Sequence, residues 1–319
     1  MKYSYLIVGA GFTGAVIARE IADKLNEPTL IIDRRNHISG NAFDHYDKSG
    51  VLVHEYGPHI FHTNSHQVWE FLSNFTEWNP YEHRVIGKIG KKHIPIPFNF
   101  SSIETMFSSK EANIIKSHLL EEHGNEVKVP ILNLMQSKNS FVKELADYIY
   151  TNIFFNYTKK MWDLEPQELD PAVLSRVPIQ IGYDDRYFHD QYQSMPKDGY
   201  TKMFQKILDH PNIEVKLRTH FKDISNPKEF KKIIYTGPID EYFDYRHGEL
   251  PYRSIRFEFF TENKEYTQKV ATINYPGFEY QHTRVTEFKH MTFQKKPQTT
   301  LCKEYPEAYN SKTNLPYYP

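Results

Sequence analysis

Three glycines near the N-terminus have the spacing of a dinucleotide-binding turn. Gly9, Gly11 and Gly14 follow an apolar strand and open a helix, in the pattern G-x-G-x-x-G. The first glycine permits a tight turn, the second lets the backbone approach a pyrophosphate, and the third allows the strand and helix to pack closely. A second apolar stretch ends at Asp33, where a carboxylate can bond a ribose 2′-hydroxyl. The sequence therefore predicts a dinucleotide whose diphosphate lies on the positive end of the helix.

The segment after Asp33 favours FAD over NAD as that dinucleotide. Arg34 opens a long loop, rich in hydrogen-bonding groups, that runs to Asn41. A long loop at this position suits an extended cofactor such as FAD better than a compact NAD turn does. We therefore expect FAD at the glycine turn.

Two histidines lie three residues apart in the next polar segment. His59 and His62 could each ligate a metal ion, but the sequence has no HExxH pattern and no third ligand beside them. We therefore expect no metal site. A loop that lies against the cofactor is the favoured interpretation.

A second candidate binding region combines aromatic, hydroxyl and basic side chains. It runs from Phe154 to Trp162 and resumes, after a proline-bearing turn, from Arg176 to Asp190. This mixture suits stacking of a nucleobase and clamping of phosphates, because guanidinium is permanently charged and forks onto pairs of oxygens. Aromatic packing with solvated charges is the alternative that composition leaves open.

Composition narrows the function classes further. Lys and Arg number 39 and Asp and Glu 40, so the chain has no basic excess with which to bind a polyphosphate backbone, and we expect no nucleic-acid partner. The single Cys302 excludes an intrachain disulfide and fits a reducing cytoplasm. No stretch approaches the length of a membrane span, so we expect no membrane partner.

The elements that must position these residues fall into three groups. Strand and glycine patterns predict a discontinuous Rossmann-type FAD-binding domain. A helical insertion is predicted from apolar residues that recur at every fourth position from Phe141 to Ile153. An antiparallel β-sheet domain is predicted from the alternating strands after Leu250. The fold class is therefore α/β. The predicted bounds are 1–80 with 195–240 for the FAD-binding domain, 101–175 for the helical domain, and 81–100, 176–194 and 241–319 for the sheet and substrate domain.

Taken together, the motifs resemble those of the prokaryotic UDP-galactopyranose mutases. The resemblance runs from residue 1 to 319 and rests on GAGFTG, GPHIFHT, NYTKKMW, SRVPIQ, DDRYF, DGYTKMF and HTRVTEFKH. It implies a homodimeric cytoplasmic flavoprotein that supplies galactofuranose for cell-surface polysaccharides. The implied substrate is UDP-galactose, and the implied cofactor is FAD, active when reduced by NAD(P)H or another reductant.

The resemblance also implies flavin chemistry without net redox change. The reduced flavin N5 attacks the anomeric carbon, UDP leaves, and the sugar opens through a flavin iminium. The sugar then recloses on its other hydroxyl and recaptures UDP. The protein's tasks would be to stabilise the leaving diphosphate and to hold N5 near the anomeric carbon.

Site residues follow by position from the same resemblance. Two arginines would hold the diphosphate and two histidines would lie beside the isoalloxazine, which makes the expected catalytic residues Arg176, Arg284, His59 and His62. The expected substrate contacts are Phe154, Tyr157, Thr158, Trp162, Tyr187, Asn274 and one of Tyr317 and Tyr318. The expected cofactor contacts are Gly9, Ala10, Gly11, Phe12, Thr13, Gly14, Asp33, Arg34, Gly40, Asn41, His59, Ile60 and Val215.

The sequence departs from the family pattern chiefly at its end, with a minor departure at Ser39, where a second glycine is common. Family members continue past the final PYYP into a segment that returns to the FAD-binding domain, and we expect this chain to lack it. Two alternatives therefore stay open beside the mutase. One is a flavin oxidoreductase of the amine-oxidase kind, which would not need phosphate-clamping arginines, and the other is a truncated, non-catalytic remnant.

Overall fold

The computed structural model of the chain describes residues 2–164, 168 and 178–317. Its strands are β1 Tyr5–Val8, β2 Thr29–Asp33, β3 Asp44–Tyr46, β4 Leu52–His54, β5 Phe61–Thr63, β6 Trp78–Pro80, β7 Val85–Ile89, β8 Lys92–Ile96, β9 Val127–Val129, β10 Ile179–Ile181, β11 Tyr192–Pro196, β12 Ile213–Leu217, β13 Lys232–Tyr235, β14 Arg253–Glu262, β15 Thr272–Asn274, β16 Arg284–Glu287 and β17 Thr299–Ala308. Its α-helices are α1 Phe12–Leu25, α2 His66–Ser73, α3 Phe100–Met106, α4 Ser109–His123, α5 Ile131–Leu134, α6 Ser140–Ile149, α7 Asn156–Trp162, α8 Tyr200–Leu208, α9 Ile239–Tyr242 and α10 Lys289–Thr292. Across the described ranges, no helix is long and apolar enough to span a bilayer.

The chain divides into two compact units. The first comprises Met1–Tyr81 and Asp190–Pro251, and the second comprises Glu82–His189 and Tyr252–Pro319. Both units are therefore built from two separate stretches of sequence. The three-domain division made from sequence stays a prediction, and its bounds differ from these two units chiefly in separating the helical region from the sheet.

A parallel sheet forms the centre of the first unit. Its strand order is β12-β2-β1-β13, and all three pairs are parallel. β1 and β2 read as near-continuous apolar runs because both of their faces are buried. Leu6, Val8, Leu30 and Ile32 form the core on one face. The strand β13 lies beside β1, so this Rossmann-type sheet is completed by residues far along the chain.

The second unit carries a larger sheet with the order β14-β17-β16-β15-β7-β8. Its pairs are antiparallel, as the alternating pattern predicts, except that β15 and β7 run parallel. The exception arises because β15 and β7 are not joined by a hairpin: the whole helical region separates them in sequence. Pro95 lies in β8 at the edge of this sheet, where a missing N–H costs least.

The helices of the second unit share a core with the β7–β8 hairpin. Ile94 and Ile96 of the hairpin belong to the same buried cluster as Leu119, Leu145 and Ile149 of the helices. The sequence-based boundary at residue 100 therefore falls inside one continuous core. The helical region is packed directly on two strands of the sheet.

One helix prediction needs correction. The apolar period from Phe141 to Ile153 predicted a continuous α-helix, but α6 ends at Ile149 and a π-helix occupies Tyr150–Phe155 before α7 begins. A π-helix widens the turn by one residue, so the side chains that follow it are rotated relative to the original apolar face. The residues displaced in this way include the candidate substrate residues Phe154 and Tyr157.

Candidate functional site

The backbone around the glycine turn of the first unit is packed too tightly for side chains at Gly14 and at Gly40. A Cβ atom at Gly14 would lie 1.9 Å from the carbonyl oxygen of Gly9, which is why helix α1 can approach β1 so closely. A Cβ at Gly40 would lie 2.9 Å from Cα of Gly11. The loop after β2 therefore reaches back to the turn and leaves a surface of bare backbone there.

The start of α1 offers unpaired backbone donors to a ligand. Gly11 occupies the N-cap position, and its helix has no side-chain cap and no acidic residue in its first turn. The ring of Phe12 packs against the rings of Tyr200 and Phe204 at centroid distances of 5.9 and 4.7 Å. Phe12 can therefore serve a cofactor only through its backbone, as Thr13 also can. Uncapped amides at a helix N-terminus suit a diphosphate.

The Asp33 carboxylate is fixed at the end of β2, beside this turn. Its Oδ2 accepts a hydrogen bond of 2.8 Å from the Ala10 N–H, and its Oδ1 accepts one of 2.9 Å from the Arg35 N–H. The Ser39 N–H in turn donates to the Ala10 carbonyl at 2.9 Å. Asp33 therefore holds the turn in shape, and the position predicted to bind ribose is rigid.

Ser39 adds an observation that fits a bound cofactor. It adopts a left-handed conformation with φ 77°, which costs a non-glycine residue free energy. Its hydroxyl is buried and has no hydrogen-bond partner among the residues that the structure describes. A buried hydroxyl normally has a partner, so a polar group from outside the chain is the natural one. The bare backbone and this hydroxyl both fit FAD.

The remaining expected cofactor residues are placed around the same sheet. Arg34 pairs with Glu241 at 3.1 Å, and Asn41 accepts a hydrogen bond of 2.9 Å from Arg35. Val215 in β12 lies opposite Ile31 of β2. Ile60 directly precedes β5. The assignment of Arg34, Asn41, Val215 and Ile60 as cofactor contacts stays a prediction.

The two candidate histidines have different surroundings. The His59 Nδ1–H donates to the Gly57 carbonyl at 3.0 Å, and burial lowers the pKa of His59, so this ring is neutral. His62 is partly exposed and pairs with Asp190 at 2.7 Å. His54 accepts the His59 backbone N–H, and complete burial lowers the pKa of His54 to about 3. In the described part of the chain, no cluster of three His, Cys, Asp or Glu side chains could hold a metal ion.

The sheet of the second unit brings an arginine and an amide side by side. Asn274 of β15 lies directly opposite Arg284 of β16, and Arg284 lies directly opposite Glu304 of β17. Side chains of directly opposite residues point to the same face of a sheet. We call Asn274, Arg284 and Glu304 the polar row. It continues to Phe257 of β14, which lies opposite Glu304.

The polar row contains a pair of opposite charge in which the carboxyl group is buried. Glu304 is 3% exposed, and burial raises the pKa of its carboxyl, whereas the Arg284 guanidinium opposes that rise. Arg284 Nη1 lies 3.5 Å from Glu304 Oε2. A carboxyl that resists ionisation neutralises its neighbour incompletely. Arg284 can therefore attract an anion to this face.

Several buried polar atoms on this face are unsatisfied. Asn274 Oδ1 and Glu304 Oε1 have no hydrogen-bond partner within the described ranges, and neither do the hydroxyls of Thr272 and Thr286. Thr272 and Thr286 lie opposite each other two residues from the polar row, so they share its face. Buried groups of this kind are normally bonded, which indicates that the face meets a polar ligand or water.

Most of the other expected substrate residues lie in the same unit. Phe154 packs on the core of the helices, Thr158 of α7 is buried, and Trp162 ends α7. Tyr187 donates its N–H to the His83 carbonyl at 2.8 Å. The Tyr317 ring lies 5.6 Å from the Phe257 ring at the end of the polar row. Arg176 and Tyr318 lie outside the described residues.

Sequence reasoning missed four residues of this site. Glu304, Thr272 and Thr286 reach the face of Arg284 only through strand register, and no local pattern signals that placement. Lys160 is the fourth. In sequence it is one of two adjacent lysines, but in the structure its ammonium group is half-buried and bonded to backbone carbonyls.

The fold and these sites define a class of protein: an α/β enzyme with a Rossmann-like nucleotide-binding unit and a second unit whose sheet carries the polar row. The NAD(P)-binding Rossmann-like domain model matches residues 7–75, and the UDP-galactopyranose mutase model matches residues 152–319. The chain belongs to the UDP-galactopyranose mutase family.

Individual relatives support the same placement. A probable UDP-galactopyranose mutase of Klebsiella pneumoniae is 37% identical over 316 residues, which cover 98% of this chain and 80% of that protein. The dTDP-fucopyranose mutase of Escherichia coli is 35% identical over 98% of this chain and 84% of its own length. A crystal structure of reduced UDP-galactopyranose mutase superposes with a TM-score of 0.67 at 14% identity, covering 98% of this chain and 77% of that one, which shows the fold.

Proposed function

We propose that this chain interconverts UDP-galactopyranose and UDP-galactofuranose with bound FAD. The observation that carries the proposal is the polar row, in which Asn274 and Arg284 share a sheet face with buried, unsatisfied oxygens. A nucleotide sugar offers that face a diphosphate and several hydroxyls. A simple amine offers no anion to this face.

The first unit would hold the cofactor. Uncapped amides of α1 would bind its diphosphate, the bare backbone at Gly11 and Gly40 would admit it, and Asp33 would bond its ribose. His59 presents a neutral ring with Nε2 as an acceptor, because its Nδ1 carries the proton. When bound and reduced, FAD supplies a nucleophilic nitrogen for the anomeric carbon, with no net redox change.

The second unit would hold the nucleotide sugar. Arg284, together with Arg176, would hold the diphosphate, and their charge would stabilise the UDP that leaves the anomeric carbon. Phe154 and Tyr157 would flank the uracil, and Trp162 would line the sugar pocket. Tyr187 and one of Tyr317 and Tyr318 would bond phosphate oxygens. We further propose that the enzyme acts in the cytoplasm as a homodimer, with NAD(P)H or another reductant for its flavin.

A second substrate pair is also supported. The E. coli relative that acts as a dTDP-fucopyranose mutase is nearly as similar to this chain as the Klebsiella protein. The two substrates share a diphosphate and a ring that contracts, and they differ at the base, at the 2′-hydroxyl of the nucleoside and at carbon 6 of the transferred sugar. Arg284 would serve either substrate, and the base-flanking residues Phe154 and Tyr157 would meet the difference at the base.

A titration of FAD-loaded protein tests the proposal. The visible spectrum measures bound flavin, and calorimetry then measures the affinity for UDP, dTDP and a simple diamine. We expect UDP or dTDP to bind and the diamine not to bind. Bound flavin with diamine affinity and no nucleotide affinity would favour the oxidoreductase of the amine-oxidase kind, and failure to bind either flavin or nucleotide would favour the non-catalytic remnant.

A further inference from the structure

Lys160 joins two parts of the second unit that the proposed function needs to hold together. Its Nζ donates to the carbonyl oxygens of Tyr275 at 2.7 Å, Gly277 at 3.0 Å and His282 at 2.8 Å. Lys160 itself lies in α7, which also carries Tyr157, Thr158 and Trp162. One ammonium group therefore ties α7 to a single loop.

That loop, residues 275–283, connects the two central members of the polar row. It leaves β15 directly after Asn274 and enters β16 at Arg284. The Tyr275 N–H donates to the Thr283 carbonyl at 2.8 Å, which closes the base of the loop. A shift of the loop would therefore move Asn274 and Arg284.

The chemistry of the contact makes Lys160 well suited to this task. An ammonium group has three N–H donors, and here three carbonyls accept them. Burial lowers the pKa of Lys160 to about 8, so the group is largely protonated at pH 7 and keeps all three donors. The Glu279 carboxylate of the same loop favours the charged form. An apolar replacement would leave three carbonyls without their donor.

We propose that Lys160 is a positioning residue that clamps loop 275–283 to α7 and so fixes Arg284 and Asn274 relative to the base-binding residues of that helix. This inference rests on the proposed function for its effect on substrate, but the clamp itself is a structural claim. Lys160 would touch neither the substrate nor the cofactor.

Lys289 provides a matched control. Its Nζ also donates to three carbonyls, those of Glu265, Lys296 and Gln298, and its side chain is fully buried. Those carbonyls lie outside loop 275–283. Lys289→Met should therefore destabilise the second unit as Lys160→Met does, without loosening the loop.

The test compares FAD-loaded parent, Lys160→Met, Lys160→Arg and Lys289→Met proteins. Calorimetry gives the UDP affinity, and hydrogen exchange read by mass spectrometry gives the protection of residues 275–283. We expect Lys160→Met to bind UDP about tenfold more weakly and to exchange faster in the loop, with flavin content unchanged. Lys160→Arg should restore part of the UDP affinity and part of the loop protection. Lys289→Met should change neither the UDP affinity nor the loop protection. If the methionine variant does not fold, Lys160→Gln replaces it under the same criteria.

Parental UDP affinity and parental loop protection in a folded Lys160→Met protein would overturn the inference. An equal loss of UDP affinity in Lys289→Met would overturn it too, since a general loss of stability would then suffice. A parent protein that binds FAD but not UDP would refute the proposed function instead. The exchange measurement alone would then decide whether Lys160 holds the loop.

Discussion

The substitution Gly11→Ala should separate cofactor binding from folding. Gly11 has φ −81° and ψ −170°, a conformation open to any residue, and a Cβ placed there would meet only Cα of Gly40, at 3.6 Å. That is an ordinary van der Waals contact, so the protein without cofactor should accept alanine. The same methyl group would stand where the backbone must approach a diphosphate.

The expected magnitudes have opposite signs for stability and binding. Replacing glycine by alanine where no strain results stabilises a protein by about 0.4–1 kcal/mol, through the unfolded chain. Losing one charge-assisted hydrogen bond from a backbone N–H to the diphosphate costs about 1.5–3 kcal/mol. The dissociation constant for FAD should therefore rise roughly 10- to 150-fold.

Gly14→Ala is the contrasting variant. Its Cβ would lie 1.9 Å from the Gly9 carbonyl oxygen, so the helix must move, and overpacking of this kind costs about 1–3 kcal/mol or more. Thermal unfolding of both apoproteins and titration with FAD, followed by flavin fluorescence, give the two quantities. Parental FAD affinity in Gly11→Ala would show that no diphosphate approaches this turn, and the cofactor assignment would be wrong.

Two further predictions concern the polar row and a buried histidine. Arg284→Ala should weaken UDP binding roughly 10- to 150-fold by calorimetry and leave flavin content intact. The control is Arg256→Ala, which should leave UDP affinity unchanged because Arg256 lies on the opposite face of the same sheet and pairs with Glu307. Equal UDP affinities in the two variants would show that Arg284 is not part of the site. The pKa of His54 falls from an ordinary 6.5 to about 3 on folding. Between pH 6.5 and pH 3 the imidazole is therefore protonated in the unfolded chain and neutral in the folded protein. The free energy of unfolding should consequently drop by about 2 kcal/mol from pH 7 to pH 5. Urea unfolding of His54→Asn at both pH values should show a pH dependence smaller by that amount, and an unchanged pH dependence would contradict it.

Local sequence patterns predicted the nucleotide-binding unit well. The order strand, Gly9 to Gly14, helix, strand and Asp33 is a short-range signal, and the structure forms β1, α1 and β2 in that order. The β7–β8 hairpin is equally local, because its two short strands flank Gly90 directly. In each case residues that are close in sequence determine the local structure, so a short stretch of sequence is enough to predict it.

Long-range register could not be predicted in the same way. Asn274 and Glu304 meet Arg284 through strand pairings, and a shift of one residue in either pairing would turn a side chain to the other face. The π-helix was also missed, because the fourfold apolar period continues to Ile153, inside the π-helix, without a local sign of the wider turn. Lys160 could not be singled out from sequence, because the three carbonyl groups that accept its hydrogen bonds are distant in sequence.

Turnover is the most direct test of the central claim, that this chain is a flavin-dependent mutase acting on a nucleotide sugar held by Arg284. FAD-loaded protein is reduced with dithionite, incubated with UDP-galactopyranose and, separately, with dTDP-fucopyranose, and the products are separated by anion-exchange chromatography. The account predicts furanose product from at least one substrate with reduced protein, none with oxidised protein, and a rate roughly 10- to 150-fold lower for Arg284→Ala. Protein that retains reduced FAD and forms no furanose from either substrate would contradict it.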